Sequence, residues 1–459
     1  MPSFSVRDVL VATKPQAAKA TPAITSFTDV VTDTRKIQPG VLFIALKGER
    51  FNGEDFAAEA VAKGAKGVIV SEACPEEKYA SVENADVFRV PDTLKAYQQL
   101  AHYWRMKFHL PVIAITGSNG KTTTKDLTAA VLSARGPVLK TQANFNNEIG
   151  LPLTLLGLNK EHKAAVVEIG MRGFHQIEAM APIAAPKIGI VTNVGETHME
   201  LLGSLENIAK AKSELVEAIP SGGTVILNAD NKYVAGMRGK AGEDVRVITF
   251  GLEQPADVKG GDIRTAGTQT TFAVTYAGET HDYTIAMVGR HNVYNALAAI
   301  ACGFALKLTP EEIQRGLQKL EATKMRFELQ KVKDWQVVND AYNASPMSMT
   351  AAISTLSELV KGRKIAVMGD MLELGSVSEK AHYHVGEELA EKKFAAVVTL
   401  GEMGRLIAQG AREHGVAAVY SCDSNEAAAG QLHAILKPGD TLLFKGSRGM
   451  QMEKIIGLL

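Results

Sequence analysis

The sequence predicts an α/β protein of three domains: a small α/β domain over 1–108, a central domain with a mostly parallel sheet over 109–322, and a second α/β unit over 323–459. Three observations predict it. The chain has 459 residues, enough for roughly three domains of ordinary size. Short apolar runs alternate with helical patterns, which implies parallel strands covered by helices on both faces. One stretch, Val112-Ile-Ala-Ile-Thr-Gly-Ser-Asn-Gly-Lys-Thr-Thr-Thr-Lys125, joins a β-rich run to a helix through a glycine loop.

Composition narrows the class. Hydrophobic residues make up 46% and charged residues 22% of the chain, the proportions of a soluble globular protein. Lys plus Arg and Asp plus Glu both number 50, so no bulk charge argues for nucleic acid or an anionic membrane. Cys74, Cys302 and Cys422 lie far apart, with no Cys-x-x-Cys pair. That suggests neither a zinc ribbon nor a disulfide framework and suits a reducing compartment. Arg7, Asp8 and Lys14 interrupt any apolar leader. The apolar run from Ala296 to Leu306 is too short to span a bilayer. A cytoplasmic location is expected.

In the first domain, Val41–Leu46 reads as a strand entered through the Pro39-Gly40 turn. Phe56 to Lys63 reads as a helix ended by Gly64, and Gly67–Val70 as a second strand. Asp33-Thr-Arg-Lys36 and the segment 47–53 flank the first strand. Arg35 either pairs with a phosphate or carboxylate through its fork of donors, or is a solvated surface side chain.

The central domain opens on the glycine loop. Glycines let several N–H groups point inward, and the following helix adds a partial positive charge. Leu127, Ala130, Val131 and Ala134 give that helix one apolar face. This is the context of a phosphate-binding loop. Lys121 would reach β- and γ-phosphates, and the Thr122 hydroxyl would hold Mg²⁺. Gly117 stands only three before Gly120, so the loop is a shortened variant of the usual pattern. Further strands are expected at Ala164–Ile169, Ile188–Thr192 and Thr224–Leu227. Ligands in such sheets sit beyond the strand C-termini. Glu168 and His198 follow two such ends. Glu168 is a metal ligand or a capping carboxylate; His198 is a functional or a structural histidine.

Over 205–219 the apolar positions are Leu205, Ile208, Leu215 and Ile219. Lys212 falls in that stripe and Lys210 does not. A lysine on a buried stripe must snorkel, pair or be chemically changed. Another helix opens at Gly289, with Val293, Leu297, Ile300 and Phe304 on its apolar face. Asn292 and Asn295 are three apart near its start, placed either to read a base edge or to cap the helix.

In the last unit, strands are expected at Lys364–Met368, Ala395–Leu400, Ala418–Tyr420 and Thr441–Phe444. The loop Gly369-Asp-Met-Leu-Glu-Leu-Gly375 lacks G-x-G-x-x-G, so no dinucleotide site is read there. Lys445-Gly-Ser-Arg448 is an anion site or a solvated loop.

These motifs in combination resemble the ATP-dependent Mur ligases of bacterial cell-wall synthesis. They are Asp33-Thr-Arg35, Thr116–Thr124, Asn144-Phe-Asn-Asn-Glu-Ile-Gly150, Thr192-Asn-Val-Gly195 with His198, Gly289 with His291, Asn292 and Asn295, Asp340-Ala-Tyr-Asn-Ala344, and Gly369–Gly375. The resemblance covers nearly the whole chain. It implies a uridine-nucleotide substrate domain over 1–108 and an ATP-binding P-loop domain over 109–322. It implies a Rossmann-like domain over 323–459 that hinges near 322–325, closes over ATP and binds the incoming dipeptide.

It also implies roles. Gly117, Ser118, Asn119, Gly120, Lys121, Thr122 and Thr123 look like the phosphate loop, and Asn292 and Asn295 like adenine-side positions. Arg326, Asp340 and Asn343 resemble the last domain's contribution to the nucleotide. Thr34 and Arg35 resemble the uridine end of the substrate site, with Asn147 and Glu148 as further substrate contacts. Thr122 and Glu168 look like ligands of one Mg²⁺, and His198 like a ligand of a second. Lys212 matches the lysine that this family carbamylates to support that second ion. Lys121, His198 and Lys212 would be the catalytic set. Two departures stand out: the family's common Asp-Gly-His-Asp-Phe reads Asn52-Gly-Glu-Asp-Phe56, and Asn339 stands where a second aspartate is common.

The implied reaction is ATP-driven amide formation by a monomer, through an acyl phosphate. Asp340-Ala-Tyr-Asn-Ala-Ser-Pro346 is similar to the branch that joins D-alanyl-D-alanine to UDP-N-acetylmuramoyl-tripeptide. The branch adding diaminopimelate as third residue carries Asp-Asn-Pro-Arg, absent here. Folylpolyglutamate synthases share the loop but not the first domain. A nucleotide-driven switch of the GTPase kind is disfavoured by the lack of Asn-Lys-x-Asp, and a non-catalytic nucleotide-binding module is a further alternative.

Overall fold

The computed structural model describes residues 3–459 apart from Ala20, Pro22, Glu49, Arg50, 80–83 and Ala322. The segment 47–53 and the expected hinge at 322–325 therefore lie partly outside the described residues. The chain forms two compact units, one of 1–114, 135–170 and 178–187, the other of 115–134, 171–177 and 188–459.

In the first unit a five-stranded sheet runs in the order Ala17–Lys19, Asp86–Val90, Gly67–Ser71, Leu42–Ile44, Val30–Val31. Only the Ala17–Lys19 pairing is antiparallel. The strand expected over Val41–Leu46 spans only Leu42–Ile44, because Leu46 turns its carbonyl to the Gly53 N–H. The expected Phe56–Lys63 helix begins earlier, as a 3-10 turn over Gly53–Phe56 that continues into Ala57–Ala62. The same unit pairs Val138–Lys140 with Ala164–Glu168 in parallel.

The second unit pairs Ile188–Val191, Thr224–Asn228, Arg246–Gly251 and Val258–Ala266 in parallel. An antiparallel meander follows through Gln269–Tyr276 and Glu279–Ile285. Ala277 and Gly278 both have positive φ, 52° and 86°, the two-residue turn that matches strand twist. A six-stranded sheet carries the last part, in the order Glu328–Val332, Trp335–Asn339, Thr441–Lys445, Lys364–Gly369, Ala396–Leu400, Ala418–Cys422. Its first pair is antiparallel and the rest parallel. Strand residues alternate faces, so Ala366 and Met368 pack in one core with Met349 and Leu389, and Ile365 and Val367 in another with Leu432 and Ile455. Order reverses between Lys364–Gly369 and Thr441–Lys445, so the loops after these strands frame a switch point, where ligands bind in such sheets. Among the described residues no helix is long and apolar enough to cross a membrane.

Candidate active site

The strand Val112–Thr116 is wholly buried and ends at the glycine loop, and the helix Lys121–Leu132 follows at once. Two glycines in this loop are required. Gly117 has φ +150°, and a Cβ there would lie 1.9 Å from Thr192 Oγ1; Gly120 has φ +79°, and a Cβ would lie 2.3 Å from Asn295 Oδ1. The neighbouring segments are packed too tightly for any side chain.

Thr192–Gly195 buttresses the loop. Ser118 N–H donates to Asn193 O, and Ser118 Oγ donates to Gly195 O at 3.0 Å. Asn119 and Asn193 bond reciprocally: Asn119 N–H donates to Asn193 Oδ1 at 2.9 Å, and Asn193 Nδ2 donates to Asn119 O at 3.0 Å. Lys121 Nζ donates to Gly117 O at 2.7 Å and Ser118 O at 3.2 Å, lying back across the loop. Sequence reasoning assigned nothing to Asn193; the only signal was its place in the Thr192-Asn-Val-Gly195 motif.

Lys212 lies in the helix Leu205–Glu217 at 2% exposure. Burial first, then the charge of Lys121, pushes its pKa well below the usual lysine value. Lys210 is exposed, its Nζ 5.6 Å over the Phe174 ring. His198 feels burial and the Lys212 charge, both lowering its pKa, with Glu373 opposing them. Lys121, Lys212 and His198 therefore act on one another electrostatically. His198 Nδ1 lies 2.6 Å from Glu373 Oε2, a partner not expected from the sequence. Glu168 belongs to the other unit. It is 3% exposed, and its Oε1 accepts from Asn146 Nδ2 at 2.7 Å. Among the described residues no three His, Cys, Asp or Glu side chains converge as a ready-made metal cluster.

Beside the loop lies a cavity of about 700 Å³. Asn119, Gly120, Thr123, Asn292, Asn295, Arg326 and Asp340 line it, while Gly117, Ser118, Lys121, Thr122 and Asn343 do not. Neither amide caps the helix, and both are hydrogen-bonded within the protein. Gly289 is the N-cap; Asn292 Nδ2 donates to Val288 O at 2.8 Å, and Asn295 Nδ2 to Asn292 Oδ1 at 3.2 Å. Thr124 Oγ1 donates to Asn295 Oδ1, so Asn295 also packs behind the glycine loop.

The cavity wall is held by a buried lysine paired with a half-buried aspartate. Lys445 Nζ donates to Asp340 Oδ2 at 2.6 Å and to Asn343 O at 3.1 Å. Arg448 pairs with Glu453 at 2.8 Å. Lys445 is thus buried and paired, while Arg448 is exposed and paired at the surface with Glu453. His291 also lines the cavity, and burial holds its pKa down to about 4 against the opposing charge of Asp340.

The remaining expected residues, Thr34, Arg35, Asn147 and Glu148, are half-buried or exposed in the first unit. Arg35 Nε and Nη2 fork onto Asp33, with Nη2–Oδ2 at 2.7 Å, and Thr34 opens that turn. Asn147 Oδ1 accepts from the Gly150 N–H at 2.9 Å, and Glu148 O accepts from Gln98 Nε2 at 3.1 Å.

Three family models cover the chain: "Mur ligase family, catalytic domain" over 26–105, "Mur ligase middle domain" over 115–303, and "Mur ligase, glutamate ligase domain" over 325–448. The chain is 40% identical over 432 residues to the UDP-N-acetylmuramoyl-tripeptide–D-alanyl-D-alanine ligase of Bacillus subtilis, covering 93% of this chain and 92% of that protein. A crystal structure of MurF from Acinetobacter baumannii superposes with a TM-score of 0.90 at 31% identity, covering 100% and 98% of the two chains. MurF from Thermotoga maritima, solved in complex with ADP, superposes at 0.82 with 26% identity, over 94% and 96%. With a glycine loop, a buried stripe lysine and matched domains from residue 26 to residue 448, the chain belongs to the Mur ligase family.

Proposed function

We propose that this protein is an ATP-dependent amide ligase, acting as a cytoplasmic monomer, that joins D-alanyl-D-alanine to UDP-N-acetylmuramoyl-tripeptide in peptidoglycan precursor synthesis. The observation that carries the reading is a phosphate loop beside a buried lysine, Lys212, whose surroundings disfavour an ammonium. The relatives named above supply the substrate pair. In this reading, 1–108 binds the uridine nucleotide through Thr34 and Arg35, 109–322 binds ATP, and 323–459 closes over it near 322–325 and receives the dipeptide.

The tripeptide carboxylate attacks the γ-phosphorus, giving an acyl phosphate and ADP. The dipeptide amine then attacks the acyl carbon, phosphate leaves, and the amine loses its proton. Two anions must approach in the first step, so charge neutralisation is the main requirement. Lys121 supplies one cation at the phosphoryl oxygens. Arg326 and the cavity residues hold the nucleotide in line, which contributes by positioning.

Bound Mg²⁺ would add Lewis-acid neutralisation of phosphoryl oxygens. The donor set fits it on one condition. Thr122 would offer a hydroxyl for one ion; Glu168, the carboxylate that the family resemblance assigns to that ion, belongs to the other unit. His198, with Nδ1 committed to Glu373, offers its other nitrogen for a second. Lys212 as an ammonium would repel a cation. As a carbamate, formed when its neutral Nζ attacks CO₂ and loses a proton, it becomes an anionic oxygen ligand.

Phosphate release with UDP-N-acetylmuramoyl-tripeptide, ATP and a panel of amino acids and dipeptides tests this. Release is expected only with D-alanyl-D-alanine. Release with a UDP-dipeptide precursor and a single amino acid would favour the third-residue branch, and release without either peptide substrate would overturn ligase chemistry.

A further inference from the structure

Two side chains on one face of the phosphate-loop helix grip a single short arm of chain. Asp126 is 3% exposed, and its Oδ2 accepts from the Thr323 hydroxyl at 2.6 Å and the Thr323 N–H at 3.2 Å. Its Oδ1 lies 3.3 Å from Nζ of Lys125, itself buried. One turn earlier, Arg326 Nη2 lies 3.3 Å from Thr122 Oγ1. Residues four apart share a helix face, so Thr323 and Arg326 meet neighbouring positions on it.

The arm between them is held in a costly shape. Met325 and Phe327, on either side of Arg326, have φ of +60° and +52°, which side chains other than glycine rarely adopt. Met325 N–H donates to Glu328 Oε2 at 2.9 Å, and Phe327 N–H to Asp340 Oδ1 at 3.1 Å. The guanidinium lies 4.1 Å over the Tyr342 ring. Such a conformation persists only when its surroundings over-determine it. A buried carboxylate is costly unless its oxygens are satisfied, and Asp126 satisfies one of them on this arm.

We propose that Asp126 is a positioning residue for Arg326. By holding Thr323 it fixes the arm on the phosphate-loop helix, so that when 323–459 closes over ATP the guanidinium comes within reach of the nucleotide with less left to order. This rests on the reading that Arg326 contacts the nucleotide.

Thr323→Val removes the hydroxyl and keeps the Asp126–Lys125 pair, so it tests the grip without unpairing a buried charge. It is compared with Asp126→Asn, Arg326→Ala and the double variant Thr323→Val/Arg326→Ala. Turnover and KM for ATP and for the UDP-substrate are measured on full-length protein, with thermal melts as a check of folding. Thr323→Val should raise KM for ATP about tenfold, the loss of one hydrogen bond to a charged group, with KM for the UDP-substrate unchanged. Asp126→Asn should act in the same direction. In the Arg326→Ala background Thr323→Val should add nothing, because the two act as one unit. An impaired Arg326→Ala beside a wild-type-like Thr323→Val would overturn the proposal and leave the Arg326 reading intact. The same penalty from Thr323→Val in both backgrounds would also overturn it. An Arg326→Ala with unchanged KM for ATP would sink the reading itself.

Discussion

Glu373 Oε2 lies 2.6 Å from His198 Nδ1, and Arg172 Nη2 approaches the other carboxylate oxygen at 3.5 Å. A carboxylate oxygen accepts, so Nδ1 carries the hydrogen and Nε2 keeps its lone pair. Glu373 reaches this position from a backbone with φ +62°, a conformation that needs support; beside it, the Glu200 N–H donates to Glu373 O at 3.4 Å. Carboxylates that orient metal-binding imidazoles in this way are worth about 10–100-fold in metal affinity or activity. Glu373→Ala should raise the Mg²⁺ concentration for half-maximal phosphate release by a factor in that range. An unchanged Mg²⁺ requirement in a folded variant would separate Glu373 from metal binding.

Lys121→Ala should lower turnover by about 10²–10³-fold, the usual cost of removing one donor from developing charge. The fold should survive, because the side chain lies back on its own loop carbonyls and is not part of the apolar core. Turnover and melting temperature check both halves. Wild-type-like turnover in the folded variant would sink the phosphate role.

His291 makes stability depend on pH. Its folded pKa of about 4 lies below the ordinary 6.5. Between those values the unfolded chain binds a proton that the folded chain does not. The contribution is therefore present above about 6.5 and lost as pH falls toward 4. Urea unfolding at pH 7 and 4.5 should show a smaller acid loss for His291→Gln than for wild type. Equal losses, or an NMR titration midpoint near 6.5, would contradict this.

Parallel strands such as Val112–Thr116 and Lys364–Gly369 were legible because each is a short apolar run bounded by turn residues, whereas Asp86–Val90, Val138–Lys140, Arg246–Gly251 and Trp335–Asn339, interrupted or ended by polar and charged residues, were not read. The meander through 258–285 was not read: its strands are rich in Thr and Gly, and only alternate residues such as Phe272 and Val274 are buried. Lys212 could be found because helical periodicity relates it to Ile208 and Leu215. No periodicity relates His198 to Glu373, which are 175 residues apart, so that partnership exists only once the chain has folded. The amides of Asn292 and Asn295 were ambiguous in part for the same reason. Asn295 Oδ1 accepts from Thr124, 171 residues away in sequence, while Asn292 donates to Val288 O only four residues back.

Lys212 offers the most discriminating test. It is buried and Lys210 is exposed, although both lie in one helix two residues apart. Burial disfavours an ammonium at Lys212 and so favours the neutral amine. A neutral amine is the form that reacts with CO₂. The resulting anion, close to His198, would be stabilised by a bound cation, which offsets the cost of burying it. Lys212→Ala should therefore fold, bind ATP nearly normally and lose most turnover. Lys210→Ala gives up a cation above the Phe174 ring, worth about 0.5–1 kcal/mol at an exposed site, and should turn over at nearly the wild-type rate. Acetate or another short acid should partly restore Lys212→Ala by replacing the missing carboxylate oxygens, and should do nothing for Lys121→Ala. The measurements are turnover of the variants with and without such an acid, and electron density beyond Nζ of Lys212 in a crystal structure. Full activity in Lys212→Ala would remove the carbamate role. A severe defect in Lys210→Ala would move the function to the exposed lysine and away from the buried one.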